Sequence, residues 1–272
     1  MTKKTGTYFF DSFDNAKKVP GTPQGCLWGF YDRDAVKDQV VSAKEVQSRR
    51  HVLLDWRLHS LSHPGFGRRQ FSHRVLSSKE SLGAYGFDDD EIHINTQSGS
   101  QWDSLRHHAS QRSHLFYNGL TFDESLSSDM NGTHNWYGSS PNPITRYEIK
   151  ASDIIAAMKD QDEERKKGAF DNHQLIGVEA SEETVRWLYD QHFAALVGDT
   201  VAFEAWHPQR DSKWILHDCS LVWWRTPLGE MWDLESLSRE CEMHQRWTFM
   251  VTSAPLHVKG GVGSPTQAIA IF

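Results

Sequence analysis

The sequence has 272 residues, little cysteine, no strong excess of one charge and no long apolar run. Its three cysteines, Cys26, Cys219 and Cys241, form neither a disulfide framework nor a CxxC metal knuckle. Against 29 basic residues stand 36 acidic ones, a net charge of −7. That balance excludes the basic face of a dedicated nucleic-acid binder, and a mild acidic excess serves solubility. Nowhere do about 18 apolar residues follow one another, as a membrane span requires. The polar opening MTKKTGTYFF leads into no apolar signal core. A soluble cytoplasmic protein acting on a small molecule, with no nucleic acid or membrane partner, is expected.

What is present is enough to fold. Apolar residues make up 38% of the chain and charged residues 24%, so a buried core is affordable. Tryptophan (11) and histidine (15) are in surplus. At about 150 residues per domain, the length allows one large domain or two small ones. Residues 1–25, rich in Gly, Pro and Lys, read as an N-terminal arm before a domain over 26–272.

Local pattern gives elements of both kinds. Residues 51–58 (HVLLDWRL) are short, apolar and β-prone, and predict a strand. Residues 60–89 carry Pro64, Gly65 and Gly67 and read as irregular. Period-two alternation over 91–96 (EIHINT) predicts a half-buried strand, closed by a turn at Gln97–Ser100. Ser, Asn, Gly and Pro over 124–145 predict a loop, and 148–167 a helix capped by Ser152. Ser181 followed by two glutamates is a helix start. Ala194–Gly198 predicts a short buried strand, and 213–224 a buried helix ended by Pro227 and Gly229. A last apolar strand follows a Gly/Pro loop. Interleaved strands and helices without internal repeats predict α/β or α+β in one domain.

The densest polar cluster is Gln97–His108, QSGSQWDSLRHH. On a helix or tight turn, Asp103 and His107 share a face. A carboxylate beside an imidazole is half of a divalent-metal site, although such spacing alone more often means a salt bridge or cap. His217 and Glu230 form a second such pair. Four mixed N/O ligands suit Zn or Mn better than Ca or Mg. His108 reads as a surface residue beside a ligand. Asp199 and Glu204, after a buried strand, could face the pocket but read first as caps or partners of an arginine.

These residues carry a resemblance. The signature His-x-Gly-Thr-His-x-Asp-x-Pro-x-His belongs to the cyclase-like metal-dependent hydrolases, which include bacterial-type kynurenine formamidase. Laid on Gln97–His107, it matches at Gly99, Asp103 and His107, with Ser100 in place of Thr. Gln97 and Gln101 replace its first two histidines, and Leu105 its proline. The chain is most similar to the family's fungal branch, through Trp28-Gly-Phe, the Gln-Trp-Asp-x-Leu-Arg-His run, Tyr117-Asn-Gly, Gly198-Asp199 to Trp206, His217, Pro227-Leu-Gly-Glu230 and Gly260–Pro265. Near 38–40 and over 143–177 it is shorter than those relatives.

The resemblance implies a single compact cyclase-family α/β domain of the swivelling β/β/α type with a mostly antiparallel β core, and a homodimer or higher oligomer. It places Asp103, His107, His217 and Glu230 at metal positions. Glutamine offers only a neutral amide oxygen, so one Zn or Mn with Gln101 orienting a water, or no metal at all, replaces a dinuclear centre. Trp28, Trp56, Trp102, Tyr117 and His134 are implied as substrate-binding. With metal, the reaction would be hydrolysis of an amide, ester or lactone, with His107 or His108 as base. Without it, the same groups would serve a cyclase, isomerase or lyase in fungal secondary metabolism.

Overall fold

A computed structural model describes residues 11–28, 46, 48, 50–79, 83, 88–134, 171–172, 175–206 and 213–272. The predicted helix over 148–167, most of the Pro143–Gly177 stretch and the region near 38–40 lie outside these residues.

The described residues form a mixed α/β structure whose sheets are mainly antiparallel. Strand β1 (His51–Leu53) pairs with the last strand, β9 (Ala268–Ile271), which also pairs with β7 (Met250–Ser253), all antiparallel. A second sheet has the order β5 (Leu196–Val197), β6 (Leu228–Glu230), β4 (Gln101–Asp103), β8 (Gly263–Pro265). Only its β5–β6 pair is parallel. Strands β2 (Ser72–Ser77) and β3 (Asp88–His93) make a separate antiparallel ribbon.

Helix α1 (Phe122–Ser127) begins with a reciprocal capping box between Thr121 and Glu124. Helix α2 (Glu182–Asp190) starts at the expected Ser181, whose side chain accepts from the Thr184 N–H. Its buried Val185, Leu188 and Tyr189 lie on one face, as the helical period requires. Helix α3 (Asp218–Trp224) is a π-helix buried on all sides, and α4 (Leu234–His244) buries Leu234, Leu237 and Cys241.

Two apolar cores flank the four-stranded sheet. One joins α2, α3 and the chain around Phe13 and Leu27, with Leu216, Leu221, Val222 and Leu228 fully enclosed. Each such side chain contributes about 1.5–3 kcal/mol over an exposed one. The other packs α4 under β1, β9 and β7, around Trp102, Trp232 and Phe272. A smaller cluster holds Leu175, Val201 and Met231, with Trp56, Leu61 and Trp206 against it. All three cysteines are buried and free.

Several expectations are corrected. The stretch 60–89 contains a strand, β2, with no period-two pattern because its first four residues are exposed. The strand expected at 91–96 lies at Asp88–His93 and is exposed throughout, held by ribbon pairing with β2 and by a 2.7 Å hydrogen bond between His73 Nε2 and Asp90. The loop expected from 124 begins inside α1, whose Thr-x-x-Glu start went unread. Helix α3 ends because Arg225 turns left-handed (φ 61°), and Gly229 sits inside β6.

Candidate metal centre

Strands β4 and β6 deliver the carboxylates. Gln101 stands opposite Glu230 across the ladder, and Asp103 lies on the same face of β4 two residues on. Trp102 projects to the opposite face, into the core, with its ring 4.9 Å from Trp232. After β4 the chain turns, with His107 N–H donating to the Ser104 carbonyl. It is therefore a turn, and no helix, that sets His107 beside Asp103, Nε2 to Oδ2 3.8 Å.

His217 enters from the start of α3. Its Nε2 lies 3.3 Å from Glu230 Oε1 and 3.9 Å from Asp103 Oδ2. Its Nδ1–H donates to Glu204 Oε1 at 2.7 Å. Glu204 is completely buried and also accepts the backbone N–H groups of Leu216 and His217. This carboxylate fixes the tautomer and leaves Nε2 turned toward Asp103 and Glu230. Glu204 does cap, as expected, but its side-chain partner is a histidine where an arginine was anticipated.

The two glutamines brace the carboxylates from behind. Gln97 Nε2 donates to Asp103 Oδ1 at 2.6 Å. Gln101 Nε2 donates both to Gln97 Oε1 and, at 2.7 Å, to Glu230 Oε2. Gly263, opposite Asp103 on β8, makes this possible, since a Cβ there would overlap Gln97 Nε2. The outer oxygen of each carboxylate is thus satisfied. Asp103 Oδ2 and Gln101 Oε1 are buried without a hydrogen-bond partner, and Glu230 Oε1 faces His217 Nε2 at 3.3 Å.

An orphaned Asp103 oxygen and the loosely paired Glu230 Oε1 beside two imidazole nitrogens fit a divalent cation. Buried acceptors without donors are costly, and a cation supplies what they lack. Ligand atoms of Asp103, His107 and His217 all lie within 4.8 Å of one another. With metal–ligand bonds of about 2.0–2.2 Å, bound ligands stand about 3–4 Å apart, so small side-chain adjustments close the shell.

Burial raises the Asp103 and Glu230 carboxyls above their ordinary range. Desolvation pushes His107 down to about 3, so its imidazole is neutral near pH 7, the form a metal needs. For His217 burial works downward, but Glu204 and Glu230 outweigh it and hold the imidazole well above its usual value, so a metal bound at Nε2 displaces a proton while Nδ1–H stays on Glu204.

The remaining site expectations fall in different places. His108 is no surface residue: its Nε2 pairs with Asp218 at 2.7 Å and its ring lies 5.2 Å from that of His217. Trp28 packs beside Trp223 and donates to the Val222 carbonyl, and Tyr117 is buried in the first core. Trp56 joins the small cluster with Trp206, whose ring is 6.4 Å from His217. His134 Nδ1 accepts from the Gly260 N–H. Trp206, which the sequence offered only as part of a segment resembling the family, is the aromatic side chain found against His217.

No family model matches the chain, and no curated relative matches it. Solved structures do. A protein described as a novel cyclase superposes with a TM-score of 0.67 at 22% identity, over 85% of this chain and 91% of that one. Isatin hydrolase A from Ralstonia solanacearum matches with a TM-score of 0.50 at 17% identity, over 81% and 91% of the two chains. At such identities the likeness shows a shared fold.

Proposed function

We propose that the chain is a metal-dependent hydrolase of an amide, ester or lactone in a small cyclic or aromatic molecule. The observation that carries this reading is the convergence of the unpartnered Asp103 Oδ2 with the Nε2 atoms of His107 and His217, beside which Glu230 Oε1 stands 3.3 Å from His217 Nε2. Asp103, His107, His217 and Glu230 would hold one Zn or Mn. Such an ion, when bound, acidifies a water and polarises a carbonyl.

The chain's own residues do the rest. Glu204 locks His217 in one tautomer, and the glutamine pair fixes the rotamers of Asp103 and Glu230. Gln101 Oε1, buried and free to accept, orients a water proton. Trp206 and Trp56 give the site an apolar wall for a flat ring. The fold shared with a cyclase and an isatin hydrolase is compatible with this chemistry.

A second reading keeps the pocket and drops the ion: acid/base catalysis by a cyclase, isomerase or lyase, as in a fungal biosynthetic step. The Gln97–Gln101 relay favours it, because hydrogen bonds already hold both carboxylates in place. A homodimer is proposed for either case.

A panel of aryl esters, lactones and formanilides separates the two. The hydrolase reading expects turnover that falls at least tenfold on chelation and returns with Mn or Zn. Turnover indifferent to chelator would overturn it.

A further inference from the structure

We propose that Arg68 is the recognition group for an anionic substituent, of carboxylate type, on an aromatic substrate of this site. The proposal rests on the hydrolase reading above and names its substrate class.

Arg68 is aimed by its backbone. Gly65, Phe66 and Gly67 run consecutively through the left-handed region (φ 63°, 49° and 67°), and the Arg68 N–H closes the turn on the Gly65 carbonyl at 2.9 Å. Three such residues in a row are unfavourable for any chain with a side chain at the centre, and Phe66 bears that strain. The turn stacks the guanidinium on the Phe66 ring, 4.7 Å from its centroid. It also brings Nη1 to 2.8 Å from the Gln97 carbonyl. Gln97 is the residue whose side chain holds Asp103, so Arg68 is anchored one residue from the metal shell.

The guanidinium is half-buried, yet among the described residues no carboxylate lies within ion-pairing distance of it. Its one hydrogen bond from the side chain to a described residue uses one of five N–H donors. Burial lowers its affinity for its own proton, and the more distant charges of Glu230 and Asp103 offset that in part. A desolvated guanidinium, fixed in plane and with no contacting carboxylate among the described residues, keeps a planar fork of donors suited to an anion. Leu61, seven residues earlier in the same loop, packs like Trp56 and Trp206 against the Leu175, Val201 and Met231 cluster, an apolar wall whose Trp206 ring lies 6.4 Å from that of His217. A ring on that wall with a carboxylate toward Arg68 would sit beside the metal shell.

The test uses the full chain as purified, with benzoate and the neutral isostere benzamide as probes in calorimetric titrations. Wild type should bind benzoate at least tenfold more tightly than benzamide. In Arg68→Met that preference should vanish, with benzamide affinity, melting temperature and metal content unchanged. Arg68→Lys should keep part of the preference, since charge survives but the fork does not. An unchanged preference in Arg68→Met, or no preference in wild type, overturns the proposal. A fall in metal content or melting temperature without loss of discrimination also overturns it, by making Arg68 a counter-charge to Asp103 and Glu230. Failure of the hydrolase reading looks different: discrimination intact in a chain that takes up no metal and turns over no ester.

Discussion

Glu204 is the residue on which most of the site depends. One carboxylate satisfies two backbone N–H groups at the head of α3 and the Nδ1–H of His217. Glu204→Ala strands three buried donors and should cost about 3–5 kcal/mol of stability, read by urea denaturation. Glu204→Gln keeps the volume but turns one acceptor into a donor. It should weaken metal affinity by about 10–100-fold, read by titration with Mn or Zn. Asp199 offers a pH-dependent counterpart. Burial lifts its carboxyl to about 6 from an ordinary 3.8. The folded state therefore holds this proton more tightly than the unfolded chain. The stabilisation it gives is full below about pH 3.8 and is lost as pH rises through about 6. Asp199→Asn should raise stability at pH 7–8 by about 1–2 kcal/mol and flatten the decline across pH 4–6. Melting temperatures measured across that range check it.

At the scale of elements, the site depends on how closely strands and loops approach. Leu175 and Val178 bridge to Trp206 and Glu204, so the chain at Gly177 runs against the backbone that carries Glu204. A Cβ on Gly177 would overlap the Glu204 carbonyl. Gly177→Ala should therefore destabilise the fold by roughly 2 kcal/mol or more and reduce metal uptake along with it, as main-chain atoms cannot swing aside. Elements with a strong local signal were legible in the sequence: the Ser181-capped α2, the short strand at Leu196–Val197 and the apolar last strand. Those stabilised by partners were not. Strands β2 and β3 are exposed almost throughout and exist through pairing with each other. Helix α3 is wound as a π-helix, which no 3.6-residue period announces, and its end comes from a left-handed arginine.

At the scale of the molecule, the four-stranded sheet brings residues from distant parts of the chain to one point. Asp103 and His107 were legible as a pair by spacing, while His217 and Glu230 became their neighbours only through the β4–β6 ladder and α3. No spacing rule connects Glu204 to His217 or Arg68 to Gln97, because those contacts are set by tertiary approach. The surplus of tryptophan divides accordingly. Trp28, Trp102, Trp223, Trp224 and Trp232 serve the cores, and Trp206 lies against the site. Among the described residues no helix is long and apolar enough to cross a membrane.

We read the polar cluster between β4, β6 and α3 as a metal centre. Elemental analysis of the purified chain after exposure to Mn and Zn, with His217→Ala alongside, tests it most directly. The wild-type chain should hold about one ion, removable by chelator, and the variant should lose at least tenfold in occupancy. A wild-type chain with no more metal than the variant would contradict it.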